Sequence, residues 1–527
     1  MKGKSNRIWI VALILGWIFD FLFWKHALGI NFAIFVLFCL AGGFYVLRMD
    51  GLKPATSSLI LVIPILFFAV ITFIRQDLLS LFLAVASTLF LMVLLVTSFV
   101  GGRWSSYGLS DYIVTTLKLG VGALTKPFLK WMVDRKEKTN DPEANNKKNK
   151  VFPIVRGILI AIPIVVIFSA LLSSADLVFA QRLDSFVAFF RLENLPEYLF
   201  RIIYILIAAY LLVGVFLHAA NNSQNERLIA DERSSLPTFL GITESSIILG
   251  SVSVLFILFV AIQFQYFFGG QANIHLDGFT FAEYARKGFG ELVMVAFFSL
   301  ILFLGLSGIT HRESKGQRNL FSGLGITVVV LVGIILVSAF QRLGLYESAY
   351  GFSQSRTYAH VFMIWLGLLL ITVVILELFH KEKSFALAVL LAVLGFSTSL
   401  ALLNVDGFIV RHNVDRAVNG QKLDVPYLAS LTTDGIPALK DIYMDPAYSQ
   451  TVHEQVGAAL VCMSQGILST QDVDWCAFTF SQYNGLKIMQ SLEGSLKIYS
   501  LSIEGFPSTV KTPSGSTINC QATGLMD

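Results

Sequence analysis

Charge is what this chain has little of. Only 14% of its 527 residues are Asp, Glu, Lys or Arg, against about 25% in an ordinary soluble protein. A water-facing surface needs polar cover, so a chain that is 55% AVILMFWYC with mean hydropathy +0.70 is not a soluble cytosolic enzyme. Proline is scarce too, at 13 residues, and the 40 glycines follow no period, which excludes disordered and collagen-like chains. The sequence contains no C-x-x-C and no H-E-x-x-H, hence no recognisable zinc site. It contains no G-x-x-x-x-G-K-[ST] phosphate cradle. No cofactor, metal or nucleic-acid partner is expected.

What is present is hydrophobic length. A helix needs about 20 mostly apolar residues to cross a hydrocarbon core of roughly 30 Å. Eleven segments meet that measure: 8–24, 27–47, 57–74, 78–100, 155–172, 199–217, 244–268, 289–308, 320–340, 358–379 and 384–404. In lipid only helices and closed barrels satisfy their own backbone, and the alternating ten-residue segments of a barrel are missing. The expected fold is an all-α membrane protein of about 11 transmembrane helices with a small mixed C-terminal extracytoplasmic domain.

Lys and Arg in short loops set orientation. Lys2, Lys4, Arg7, Arg48, Lys53, Arg312, Lys315, Arg318, Lys381 and Lys383 fall on one side, with loop 101–150, whose ten Lys/Arg face five acids for a net +5. That side is expected to be the cytoplasm, with the N-terminus. Eleven spans then place the tail outside; its seven Lys/Arg and twelve acids give −5. The tail holds Cys462, Cys476 and Cys520, enough for one disulfide in an oxidising compartment, or for three buried thiols. The first span lacks a clean cleavage site and reads as an uncleaved anchor. The expected location is the bacterial cytoplasmic (inner) membrane, multi-pass.

The expected domains are a four-helix segment (1–100), a basic connector (101–150), a seven-helix core (151–404) and the tail (405–527). Ile113, Leu117, Val121, Leu124, Phe128 and Met132 recur at helical spacing with Lys between them. That pattern suits a helix on an anionic lipid surface or one packed under the bundle, with Pro127 as a potential kink. In the tail, Leu423, Tyr427, Leu428 and Leu431 share a helical face, and Asp434-Gly435-Ile436-Pro437 is expected to break it. Stretches 498–503 and 517–519 read as strands. The absence of an internal repeat argues against inverted-repeat transporters.

Gly305-Leu306-Ser307-Gly308 matches the G-x-S-G around intramembrane serine nucleophiles, with His311 nearby. A nucleophile needs a base in hydrogen-bond reach, whereas small residues in spans serve packing; packing is the favoured reading. A lipid-linked glycosyltransferase would need acidic residues in a sizeable first external loop, which is only Lys25-His26. Polar residues at membrane depth are costly unless paired or wet. They gather toward the tail side: Asp176, Gln263, Gln265, Arg286, Glu291, Arg342, Arg356, His360, Asn404 and Asp406. Such a cluster suits a vestibule for an anionic or zwitterionic ligand, or else helix caps and packing pairs. Glu244 opens the seventh span, where a carboxylate suits a helix N-terminus. The aromatic, basic segment 279–289 suits the headgroup level.

Several stretches carry a family resemblance: RGILIAIPIVVIFSALLSSADLVFA (156–180), GITESSIILG (241–250), VAIQFQYFFGG (260–270) and FAEYARKGFGEL (281–292). Others are QRLGLYESAYGFSQSRTYAHVFMIWL (341–366), NVDGFIVRHNVDRA (404–417), LDVPYLASLTTDGIPAL (423–439) and DVDWCAFTF (472–480). In order and spacing the chain resembles a prokaryotic polytopic membrane family of unknown function, domain of unknown function four-one-seven-three. His412 departs from a Tyr expected in one of these runs, and 496–527 resembles nothing in it. The resemblance implies motif positions at Glu244, Arg286, Arg342, Arg356 and Asp434 without assigning a reaction. The function expected is a non-enzymatic sensor, regulatory or scaffold component. It would contact membrane lipid and bind a ligand at its outer face or a protein partner through the C-terminal domain. The alternatives are a transporter or channel, and a membrane enzyme acting on a lipid-linked substrate.

Overall fold

The structure, a computed structural model, describes residues 2–139, scattered positions between 157 and 182, and 195–223, 239–268, 289–468, 474–502 and 508–521. Most of the expected fifth span, residues 140–150 of the connector and 279–288 with Arg286 lie outside the described residues. The protein is α-helical. In chain order the helices are α1 (Lys2–Phe23), α2 (Ile30–Met49), α3 (Thr56–Ile60), α4 (Val62–Ile74), α5 (Leu78–Thr97), α6 (Leu109–Thr139) and α7 (Leu195–Asn222). There follow α8 (Ile242–Phe268), α9 (Phe289–Ile309), α10 (Lys315–Tyr350), α11 (Gln354–Leu378) and α12 (Phe385–Leu403). The tail adds α13 (Val405–Val418), α14 (Val425–Ser430), α15 (Ile436–Met444), α16 (Gln450–Leu468) and α17 (Phe480–Leu496). Among the described residues nine helices are long and apolar enough to cross a membrane, and each coincides with one of the eleven segments read from hydropathy. The first segment lies on α1.

The chain divides into two compact units. The first comprises residues 1–24, 38–53 and 117–224. In it α1 packs along α7, and Gly16 permits the approach: a Cβ there would stand 2.7 Å from the Ile205 carbonyl oxygen. Farther along, buried Asp20 receives Arg201 at 2.5 Å, and the Trp24 indole donates to Glu197 at 3.0 Å. A carboxylate inside an apolar helix is tolerable because this guanidinium meets it. The connector helix continues through Pro127 without ending there. Its Ile113, Leu117, Val121, Leu124 and Phe128 are exposed.

The second unit comprises 25–37, 54–116 and 225–527. Its longest helix, α10, starts on a capping box of Ser314 and Gln317 and runs 36 residues. That is about 54 Å, well beyond a hydrocarbon core of roughly 30 Å. The final turns of α10 therefore project past the apolar layer, where Arg416 of α13 donates to the carbonyls of Ser348 and Ala349. The C-terminal helices share one core with the ends of the bundle. Leu400 of α12, Val410 of α13, Leu428 of α14, Leu439 of α15 and Val456 of α16 are buried together, with Leu79, Leu83, Tyr358 and Val361 packed against them.

The run Asp434-Gly435-Ile436-Pro437 starts a helix instead of only ending one. A 3-10 turn at Thr433–Gly435 leads directly into α15, with Pro437 in its first turn, where a missing N–H costs nothing. A small antiparallel sheet closes the tail in the order β1 (Ser500–Ser502), β2 (Thr509–Lys511), β3 (Thr517–Asn519), with Val510 opposite both Leu501 and Ile518. The middle strand is the one the sequence reading missed. Cys462 of α16 and Cys520 beside β3 form a disulfide, while Cys39 and Cys476 are buried free thiols. The crosslink closes a loop across a sequence separation of 58. Replacing Cys520 with Ser should lower the unfolding stability of the tail by about 2–4 kcal/mol, read as earlier proteolytic opening of 450–521 with α8–α12 unchanged.

Candidate functional site

The densest group of buried polar side chains lies where the tail meets the turn between α4 and α5. That turn is Arg75-Gln76-Asp77, three polar residues between two apolar helices. Helix α4 ends as Arg75 becomes extended, and α5 starts on Asp77, whose Oδ1 accepts from the Ser80 amide at 3.0 Å. The same Oδ1 accepts from the Tyr358 hydroxyl of α11 at 2.9 Å. Gln76 faces the tail. Its backbone N–H donates to Asp434 Oδ2 at 2.7 Å, its side-chain amide donates to Thr479 at 2.9 Å, and its Oε1 accepts from Thr433 at 2.8 Å. Arg75 Nε donates to the Ala401 carbonyl at 2.8 Å, and its Nη1 stands 4.0 Å from Asp434 Oδ1.

Asp406 completes the group from the first turn of α13. Its Oδ2 accepts from both the amide (2.8 Å) and hydroxyl (2.6 Å) of Thr432, and its Oδ1 from the side-chain amide of Gln354 at 2.7 Å. The Gln354 backbone N–H donates to the Tyr427 hydroxyl at 2.9 Å. Asn404 makes the chain turn from α12 into α13: it adopts φ +50°, caps α13 through the Gly407 amide, and donates to the Asp434 carbonyl at 3.1 Å. Short polar Asn is suited to that left-handed conformation.

Three carboxylates are thus buried together: Asp77, Asp406 and Asp434 are 1%, 0% and 5% exposed. The Arg75 guanidinium stands beside Asp434. Burial raises the Asp406 carboxyl above its ordinary value, against the lowering effect of its Thr432 and Gln354 bonds, and the Asp77 charge pushes the same way as burial. Asp434 is raised for the same leading reason, opposed by the Gln76 amide, Ser481 and Arg75. Burial carries the Tyr427 phenol up to about 12. Asp77 Oδ2 is buried and accepts no hydrogen bond among the described residues. Proton exchange and hydrogen-bond switching are the chemistry such a group can support. No group of three or more His, Cys, Asp or Glu among the described residues is arranged to hold a metal ion.

Of the residues singled out from sequence, Asn404, Asp406 and Asp434 are brought together here. Arg356 and His360 occupy successive turns of α11 beside the end of α10. Arg356 donates to the Gly351 carbonyl and lies 4.1 Å over the Tyr346 ring, and His360 contacts Glu347 at 3.1 Å. The intervening turn uses Gly351 at φ +87°, and Asn413 of α13 clasps it by exchanging two hydrogen bonds with Phe352. Gln263 accepts from Ser338 at 2.6 Å. Arg342 lies on α10. Glu291 is exposed on α9 beside an open apolar groove of about 1040 Å³. Glu244 is exposed in the first turn of α8, and Asp176, in the first unit, caps the Phe179 amide at 3.2 Å. Arg75, Gln76, Asp77, Gln354, Tyr358, Tyr427 and Thr432 were not singled out as site residues. The available signal was a three-residue polar turn between two long apolar runs.

At the opposite end of α9, Ser307 Oγ receives Arg312 at 3.0 Å, and His311 contacts Glu313 at 2.8 Å. Arg312 also stands 3.6 Å from buried Glu377, which accepts from Ser322 at 2.6 Å. A guanidinium is no base, so this arrangement leaves Ser307 unactivated.

The fold and the buried joint define a multi-span α-helical membrane protein with a C-terminal domain built onto one end of its helices. The family model described as "Domain of unknown function (DUF4153)" matches residues 62–442, and the chain belongs to that family. The resemblance drawn from sequence carried the number four-one-seven-three, which is corrected to 4153. The apolar stretches that bore it are of a composition many polytopic chains share. The match begins ahead of those stretches and ends before 472–480, and it includes Asp77, Asp406 and Asp434. No curated protein and no solved structure matches the chain.

Proposed function

We propose that this protein is a non-enzymatic sensor or regulatory component of the bacterial cytoplasmic membrane, with its C-terminal domain on the extracytoplasmic side. In this reading the domain receives a ligand or protein partner, and the Asp77–Asp406–Asp434 joint couples it to the helices. The carrying observation is the joint itself. Gln76 and Gln354 of the helical bundle bond directly to Thr433, Asp434, Asp406 and Tyr427, and Asp77 beside them is held by Tyr358 within the bundle. A domain merely tethered by a linker would need none of these bonds. The Cys462–Cys520 disulfide and the tail's −5 charge support the outer placement.

Deleting 405–527 is a poor test, because it removes two of the three joint carboxylates. The informative experiment is site-specific photocrosslinking in intact cells from exposed Tyr483 and Trp475, in wild type and Asp406→Ala. The reading predicts a discrete adduct that weakens in the variant, and no solute flux in proteoliposomes. Flux that falls on Glu291→Gln or Arg342→Gln would instead establish a transporter.

The raised carboxyls give the joint a pH response of definite sign. A group whose carboxyl is raised on folding binds its proton more tightly folded than unfolded, so its contribution is fullest below the ordinary value of 3.8 and is lost as pH rises through the folded value. Acidification of the outer medium from neutrality should therefore tighten the joint. The stability of wild type relative to Asp406→Asn should be greatest in acid and fall as pH rises across that window, because Asn does not titrate. A difference flat from pH 4 to 8 would remove Asp406 as the responsive group.

A further inference from the structure

The Gly305-Leu306-Ser307-Gly308 motif has a role other than nucleophilic chemistry. A cavity of about 740 Å³ lies between α9, α11 and α12, walled by Phe297, Leu304, Phe362, Trp365 and Phe396. Gly305 and Gly308 line it, and a Cβ at either would meet no atom within 4 Å. On the facing helix α12, by contrast, Gly395 is tightly covered, the Trp365 ring standing 2.1 Å from where its Cβ would be. At Gly305 and Gly308 the space a side chain would fill opens into the groove. From Phe297 to Gly308 α9 advances eleven residues, about 16 Å at about 1.5 Å each. Half of a hydrocarbon core of roughly 30 Å is about 15 Å. The groove is one leaflet deep.

Its polar end is equally defined. Ser110, Ser307 and the exposed Lys383 close it where α9 ends and α12 begins, and Arg312, Lys315 and Lys381 belong to the same pair of turns. Arg312 is engaged by Ser307 and Glu377, whereas Lys383 lines the rim and is exposed. We propose that this groove binds one anionic glycerophospholipid from the leaflet on the Lys383 side, an acyl chain lying along Gly305 and Gly308 and the phosphate meeting Lys383. Apolar walls at acyl depth ending at a cation match a lipid in both chemistry and length. The site stands on membrane embedding and not on the sensor reading.

The test is native mass spectrometry of the full chain, delipidated in neutral detergent and offered equimolar phosphatidylglycerol and phosphatidylcholine with the same acyl chains. One lipid should be retained per chain, with phosphatidylglycerol favoured about fivefold, the preference expected from one lysine at the headgroup. Lys383→Ala should abolish the preference and keep retention. Gly305→Phe, which fills the groove without meeting a neighbour at Cβ, should abolish retention of both lipids; Gly305→Leu is the smaller plug should the Phe variant not fold. Equal retention of the two lipids by wild type would overturn the proposal. So would retention undiminished by a folded Gly305 plug, or chain dimers in place of bound lipid. Lys383 is on an exposed turn, so its variant keeps the proposal open to refutation regardless of the plugs.

Discussion

Arg201→Leu should destabilise the first unit by about 3–5 kcal/mol, because it leaves Asp20 buried in an apolar helix without its cation. The pair is close, at 2.5 Å, and Asp20 is almost wholly enclosed, so water cannot substitute for the guanidinium. Asp20→Leu should cost less, since Arg201 is long enough to carry its charge toward the headgroups. The Asp20→Leu/Arg201→Leu double variant should recover most of the loss, as removing both members of a buried pair is often nearly neutral. Steric-trapping or denaturant-titration measurements in micelles would give all three values. A double variant as weak as Arg201→Leu alone would show that these residues do more than satisfy one another.

Asp406→Ala should have the second large effect, about 3 kcal/mol or more from the second unit. The substitution strands three donors at once, the Thr432 amide, the Thr432 hydroxyl and the Gln354 side-chain amide, at about 1–3 kcal/mol for each buried group left unpaired. Asp406→Asn should recover most of this, because one amide oxygen can still accept both Thr432 bonds and Asn resembles the protonated acid. The pair of variants separates lost hydrogen bonds from lost charge. If Asp406→Asn were as damaging as Asp406→Ala, the negative charge itself would be what the joint needs, and the proposed acid tightening would be wrong.

The spans were legible because hydropathy sums over some twenty residues, and the nine described spans match their segments. The partners of buried polar residues were not, because pairing depends on which helices lie together. Asp20 and Arg201 are 181 residues apart, and Asp77 and Tyr358 are 281 apart. Proximity to the tail side drew attention to Arg356 and His360, whereas Arg75-Gln76-Asp77 passed as a short turn. Its importance rests on the 3-10 turn at Thr433–Gly435 folding back over it. In the same way Asp434-Gly435-Ile436-Pro437 reads as a breaker in isolation, yet Pro after a capped turn is a helix start. Strand β2, Thr509-Val510-Lys511, went unread because Pro507 and Pro513 stand close on either side of it and mark the segment as turn in isolation.

The central claim is that the C-terminal domain and the helical bundle are fastened through the buried carboxylates. Hydrogen exchange at the Gln76 and Thr432 amides in lipid nanodiscs tests it most directly, because both amides donate to joint carboxylates, Asp434 and Asp406. Both should be strongly protected in wild type and lose protection together in Asp406→Ala, with the interior of α9 unchanged. A Gln76 amide exchanging freely in wild type, or one indifferent to Asp406→Ala while Thr432 opens, would contradict the account.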